Sequence, residues 1–172
     1  MVFIKSALDK TIKITGEQEE LLVFPRFSRK DAWELGHLFA EIITEKKLSA
    51  TICIRLLSGQ IVFQWAEEGT NANNDYWMIR KFHLVREMEM SSLRLRALFK
   101  KQGDTLESWG LDPQHYAVAG GGFPIRVKDS GLVAVVTISG LHEVDDHILA
   151  VEGISEYLGI KDIPQLSKNT GI

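Results

Sequence analysis

The sequence predicts a layered α+β domain, its sheet mostly antiparallel and flanked by helices. Three observations carry that expectation. Apolar residues recur at helical spacing near both ends of the chain and in its middle. Two pairs of β-prone runs are each joined by a tight turn signal, and hairpins pair strands antiparallel. The hairpins do not alternate with helices in the strand-helix order of a doubly wound sheet. A chain of 172 residues without repeats, linkers or low-complexity tracts is read as one domain over 1–172.

In chain order, the segment to about Glu20 is a weakly amphipathic helix. Leu21-Leu22-Val23-Phe24 is a short strand, stopped by Pro25. Ser28 then caps a helix, with Asp31 placed to reach back to it. Ala32, Leu35, Phe39, Ile42 and Ile43 form its apolar stripe, and Lys46 and Lys47 suit its C-terminal dipole. Strands from Ala50 to Leu57 and Gln60 to Trp65 enclose Ser58-Gly59, with Ile61, Phe63 and Trp65 on one apolar face. Asn71, Asn73, Asn74 and Asp75 supply caps for a helix with Met78, Phe82, Val85 and Glu89 on one line. Ser91-Ser92 interrupts it, and a second helix runs from about Leu93 to Lys101, ended by Gly103. Strands from about Ala117 to Val127 and Leu132 to Ser139 surround the turn Lys128–Gly131. A last helix opens near Glu143 and stops at Gly159, and the tail after Pro164 is polar and expected to be loose.

Composition narrows the function classes. The net charge of −3 gives no global pull toward nucleic acid. Charge is uneven, however. Seven basic residues, Arg80 and Lys81 among them, face only Glu87 and Glu89 between Trp77 and Lys101. From Leu141 onward six acids face two lysines. The two faces are expected to meet, within one subunit or between subunits. The single cysteine, Cys53, lies in an apolar strand and reads as a small buried hydrophobe. No run approaches the ~18 apolar residues of a membrane span. The start Met1–Lys5 is too short in apolar residues for a signal peptide, so a soluble cytoplasmic chain is expected.

The most distinctive stretch is Tyr116-Ala117-Val118-Ala119-Gly120-Gly121-Gly122-Phe123-Pro124-Ile125. Three glycines followed by Phe-Pro make a bend that feeds a strand, because glycine visits positive φ and proline removes an N–H. Without a Cβ, another backbone or a ligand can come close. Its amides can hold a ligand carboxylate, or the bend can serve tight packing. It lacks the spacing of a phosphate loop and opens no helix.

Together with Leu111-Asp112-Pro113, Thr137-Ile138-Ser139-Gly140-Leu141, Asp146-His147, Val151-Glu152 and Asn74-Asp75-Tyr76-Trp77, this bend resembles the uncharacterised UPF0303 family. That family lies within the haem-degrading-domain proteins, beside the GlcG-like and HbpS-like groups. The resemblance covers nearly the whole chain after about Leu21. It implies a profilin-like α+β fold, a tendency to form homo-oligomers, and haem as a cofactor of some relatives. Ala119 is a departure, because the family pattern carries a histidine just before the glycines.

The candidate ligand-binding set is Gly121, Gly122, Phe123 and Pro124 of the bend, Asp146 and His147 at the last helix, and Arg80 and Lys81 near Trp77. Cations at Arg80 and Lys81 can hold a propionate, phosphate or carboxylate, or pair with acids. His147 can be a base or ligand, or a packed core imidazole. No zinc-type Cys/His spacing, GxSxG pattern or serine with an obvious base is present, so metal ligands and catalytic residues are not assigned. The expectation is a pocket for an anionic small molecule, haem-like by the resemblance. The alternative is an oligomeric assembly protein without catalysis, its contacts built by the basic Trp77–Lys101 face and the acidic last helix.

Overall fold

A computed structural model describes residues 2–167, with side chains from Ser6 onward. Met1, the side chains of residues 2–5 and the extreme tail, residues 168–172, therefore fall outside what is described, and with them the expectation on the Met1–Lys5 start. The order is α1 (Val2–Leu21), β1 (Val23–Phe24), α2 (Arg29–Glu45), β2 (Thr51–Leu56), β3 (Ile61–Ala66), α3 (Ala72–Met88), α4 (Ser92–Gln102), β4 (Gly122–Val127), β5 (Gly131–Ser139) and α5 (Glu143–Leu158). No helix among the described residues is long and apolar enough to cross a membrane.

The five strands form one sheet in the order β1-β4-β5-β2-β3. Both expected hairpins are present, β2 with β3 and β4 with β5, and β2 also pairs β5 antiparallel. The short β1 is the exception, since it runs parallel to β4. Alternation along the strands then splits the sheet's two faces. Ile52, Ile54, Ala134, Val136 and Ile138 join the main core under α2 and α5. Val135 points the other way and packs with Phe82 and Val85 of α3. Helix α4 touches α3, α5 and β4, and α1 packs along α4.

Local chemistry explains the helix ends. Ser28 and Asp31 form the expected reciprocal capping box of α2. Asn71 and Asn74 form a second one at α3. Gly103 and Gly159 end α4 and α5 in the left-handed region.

Four expectations needed revision. Ala117–Gly121 is not strand; β4 begins at Gly122, because the glycines turn between elements. Glu89 leaves the helical line and caps α3 at φ 53. The apolar face of β3 is largely uncovered, with Ile61 and Trp65 exposed on an edge strand. The chain after Pro164 is docked as far as it is described. Leu166 is buried, and Pro164 O accepts from Gln18 Nε2 at 2.7 Å.

Candidate functional site

The glycine bend passes between α3, α4 and the start of α5, and its groups are already engaged. Gly120 N donates to Glu143 Oε2 at 3.3 Å, and Gly122 N to Ser92 Oγ at 2.8 Å. Gly121 O accepts from Ile138 N at 2.8 Å. Gly121 sits at φ +112, where side chains are strained. A Cβ there would lie 2.8 Å from Lys81 Nζ and 2.9 Å from Asp146 Cβ, and would also meet Ile138 O. The room left by the missing side chain is thus taken by the protein's own lysine and aspartate. Phe123 and Pro124 continue into β4 and are buried.

Lys81 and Asp146 form an ion pair at 3.0 Å, each side chain only 3% exposed. Lys81 also donates to Ile138 O at 2.7 Å, and Asp146 Oδ1 accepts from Leu141 N at 3.0 Å. The pair ties α3 to the end of β5 and the start of α5. Burial pushes the Asp146 carboxyl up to about 6, partly offset by the Lys81 charge. Burial likewise pushes the Lys81 amine down, partly offset by Asp146.

His147 is fully buried beside Phe123, with ring centroids 5.8 Å apart. Its Nε2 lies 2.9 Å from Gln18 Oε1. Because the Gln18 amide group donates to Pro164 O, Oε1 is the acceptor and His147 carries its proton on Nε2. Nδ1 is buried with no partner among the described residues. Desolvation drops the pKa to about 3, so this is a neutral core imidazole.

Open space begins one wall further out. A cleft of about 810 Å³ lies between α3, α4, the loop around Asp104–Val118 and the start of α5. Trp77 gives it aromatic surface, with the largely buried Phe99 behind, and Arg80, Arg96 and Lys100 give it positive charge. Arg80 lies 4.6 Å over the Trp77 ring and donates to Pro113 O from Nε and one terminal nitrogen. Arg96 pairs with Glu143 at 3.1 Å. His142 caps α5, its Nδ1 accepting from Val144 N at 3.4 Å. A smaller recess of about 280 Å³ shares Trp77, Ala119, Leu141 and Glu143 with the cleft. Lys81 and Asp146 line that recess, with Asn74 and Ser139.

The candidate residues therefore divide. Arg80 lines the large cleft, and Lys81 and Asp146 line the recess. Gly121, Gly122, Phe123, Pro124 and His147 lie behind these walls as packed interior. Adjacent positions separate because successive residues turn about 100° around a helix. Arg96, Lys100 and Phe99 were not singled out from sequence. Their signal was there: Arg96 and Lys100 stand four apart on α4, as Trp77 and Arg80 stand three apart on α3. The basic segment and the acidic last helix do meet, and within one subunit, through Lys81–Asp146 and Arg96–Glu143.

Comparison with known proteins adds independent findings. The family described as haem degrading protein HbpS-like matches residues 27–155. A UPF0303 protein of Streptomyces coelicolor is 40% identical over 150 residues, 87% of this chain and 94% of its own. One from Rhizobium johnstonii is 40% identical over 159 residues, covering 92% and 97%. Among solved structures, the Ybr137w protein superposes with a TM-score of 0.78 at 26% identity, covering 86% of this chain and 87% of its own. The PduOC–haem complex gives 0.64 at 19%, covering 75% and 93%, and a likeness at that identity speaks to fold.

Proposed function

The chain belongs to the HbpS-like haem-degrading protein family, and on that premise we propose that it binds a planar, anionic small molecule of the tetrapyrrole class. The observation that carries this reading is the joining of Trp77 and Phe99 with Arg80, Arg96 and Lys100 in one cleft of about 810 Å³. That volume falls within the range of roughly 300–1,000 Å³ for small-molecule sites. Aromatic surface suits the face of a conjugated ring, and guanidinium groups suit its carboxylates. Lys81 and Asp146 form a polar boundary to the adjoining recess, while Gly121–Pro124 and His147 hold that boundary from behind. Binding rather than turnover is favoured, since the acid–base groups Glu143 and His142 are already engaged in a salt bridge and a helix cap. We place its work in the cytoplasm, in keeping with one buried, unpaired cysteine.

The test is a haem titration followed by absorbance. Saturable binding is expected, weakened about tenfold or more by Arg96→Glu with Lys100→Glu, since a hydrogen bond to a charged group is worth about 1.5–3 kcal/mol. An unchanged Soret band across the titration would remove the reading.

A second reading, self-association, has its own observation. The edge strand β3 carries no charge from Ile61 to Ala66 and exposes Ile61 and Trp65, so it lacks the usual protection against pairing. Arg29 bonds Gln60 at one end of β3, while Glu67 and Glu68 follow the other end. Antiparallel pairing of two copies brings these opposite charges together twice. Trp65→Lys is expected to lower the native mass in solution; an unchanged mass rejects this surface.

A further inference from the structure

We infer that the cleft holds a tetrapyrrole by its carboxylates and ring face and not through its metal; this rests on the ligand class proposed above. The common protein ligands to haem iron are a neutral imidazole nitrogen, a thiolate or thioether sulfur, or a phenolate. Among the described residues lining the cleft there is no cysteine, methionine or tyrosine, and the one histidine is His142.

His142 is set up as a helix cap and not as a ligand. Its Nδ1 accepts the Val144 amide as the N-cap of α5, at φ −63 and ψ 145. A neutral ring whose Nδ1 accepts carries its proton on Nε2, and a protonated nitrogen has no lone pair for a metal. Ligation would mean giving up the cap.

The other imidazoles stand elsewhere. His147 is sealed in the interior against Gln18. His37 stacks on Trp33 at 5.2 Å, on α2. His115 lies 3.9 Å from Asp112 in the loop. His83 has Nδ1 at 2.9 Å from His115 O, which frees its Nε2, but the ring lies against Phe82 and Tyr116 and is not part of the cleft wall.

What the cleft does offer is charge and aromatic surface. Arg80, Arg96 and Lys100 can each meet a carboxylate, and Trp77 presents a half-covered ring beside them. None of these contacts depends on what sits at the centre of the macrocycle. In the wall shared by cleft and recess, position 119 carries only a methyl group, that of Ala119. An imidazole there would supply the missing donor.

The experiment compares haem with metal-free protoporphyrin IX on the purified full chain, the first by absorbance and the second by fluorescence. The dissociation constants are expected to agree within about threefold, a difference below 1 kcal/mol. His142→Ala is expected to leave both within about threefold, and Arg96→Glu with Lys100→Glu to weaken both together by about tenfold or more. Ala119→His is expected to favour haem over the free porphyrin by about tenfold or more and to shift the Soret band. Haem binding about tenfold or more tighter than protoporphyrin IX in the unaltered chain, with the preference lost in His142→Ala or His83→Ala, would overturn this inference while leaving the cleft as the site. Binding of neither compound would remove the cleft reading and this inference with it.

Discussion

The glycine bend and the aromatic cleft lie back to back, and they treat polar groups in opposite ways. In the bend, Lys81, Asp146 and His147 are stripped of water and directed at partners inside the protein. In the cleft, Arg80, Arg96 and Lys100 keep one side toward open space. A polar group in the first region is coupled to folding, because an unpartnered charge there is expensive. A polar group in the second is coupled mainly to whatever enters. The motif most visible in the sequence belongs to the first region, and the space that can hold a ligand belongs to the second.

The contrast is sharpest under acid. His147 is held near 3, below its ordinary 6.5, so the folded chain binds fewer protons than the unfolded chain between these values. Its contribution to stability is full above about pH 6.5 and is lost as pH falls toward 3, on the order of 5 kcal/mol. Asp146 works in the other direction. With its pKa raised to about 6, the folded state gains stability relative to the unfolded as pH falls from 6 toward 3.8. Denaturant unfolding of the unaltered chain and of His147→Leu from pH 7 to 3 separates the two. The variant is expected to lose less stability on acidification, and parallel curves would contradict a buried neutral imidazole.

Breaking the ion pair comes next. Lys81→Met leaves Asp146 buried without its cation and is expected to cost about 4 kcal/mol at pH 7. Lys81→Met with Asp146→Leu removes both charges and is expected to recover much of that loss, read by the same unfolding curves. Gly121→Ala follows at about 3 kcal/mol, from positive φ and from crowding against Lys81 and Ile138 O. A loss below about 0.5 kcal/mol, the range of neutral surface changes, would mean the bend is looser than described. The smallest effect on stability belongs to the cleft. Arg96→Glu breaks a partly buried pair with Glu143 at the cleft wall and is expected to cost about 1 kcal/mol, while ligand affinity falls about tenfold. Were Arg96 to matter for folding as much as Lys81, the distinction between the two regions would fail.

Much of the fold was legible because it is fixed by near neighbours. Ser28 with Asp31 caps α2 through contacts three residues apart. The turns at Ser58-Gly59 and Lys128–Gly131 close their hairpins, and Gly103 and Gly159 stop their helices. The parallel β1–β4 pairing was not legible, since Val23 meets Arg126 across most of the chain and a two-residue strand has no period to read. The exposure of Trp65 was hidden too, because alternation reports an apolar face and not whether a helix covers it.

The same division holds for the site. Residue types and spacing were enough to fix the Ser28 cap of α2, the glycine stops of α4 and α5, the hairpins, the bend at Gly120–Gly122 and the presence of a basic segment facing an acidic one. Only the folded chain decided that Lys81 turns inward while Arg80 turns outward, and that α4 brings Arg96 and Lys100 to the wall beside Trp77. Local geometry is set by torsions and bonds between close neighbours, which any short window of sequence contains. Which side of a wall a charge occupies is set by packing between helices far apart in the chain, and that exists only once they have come together.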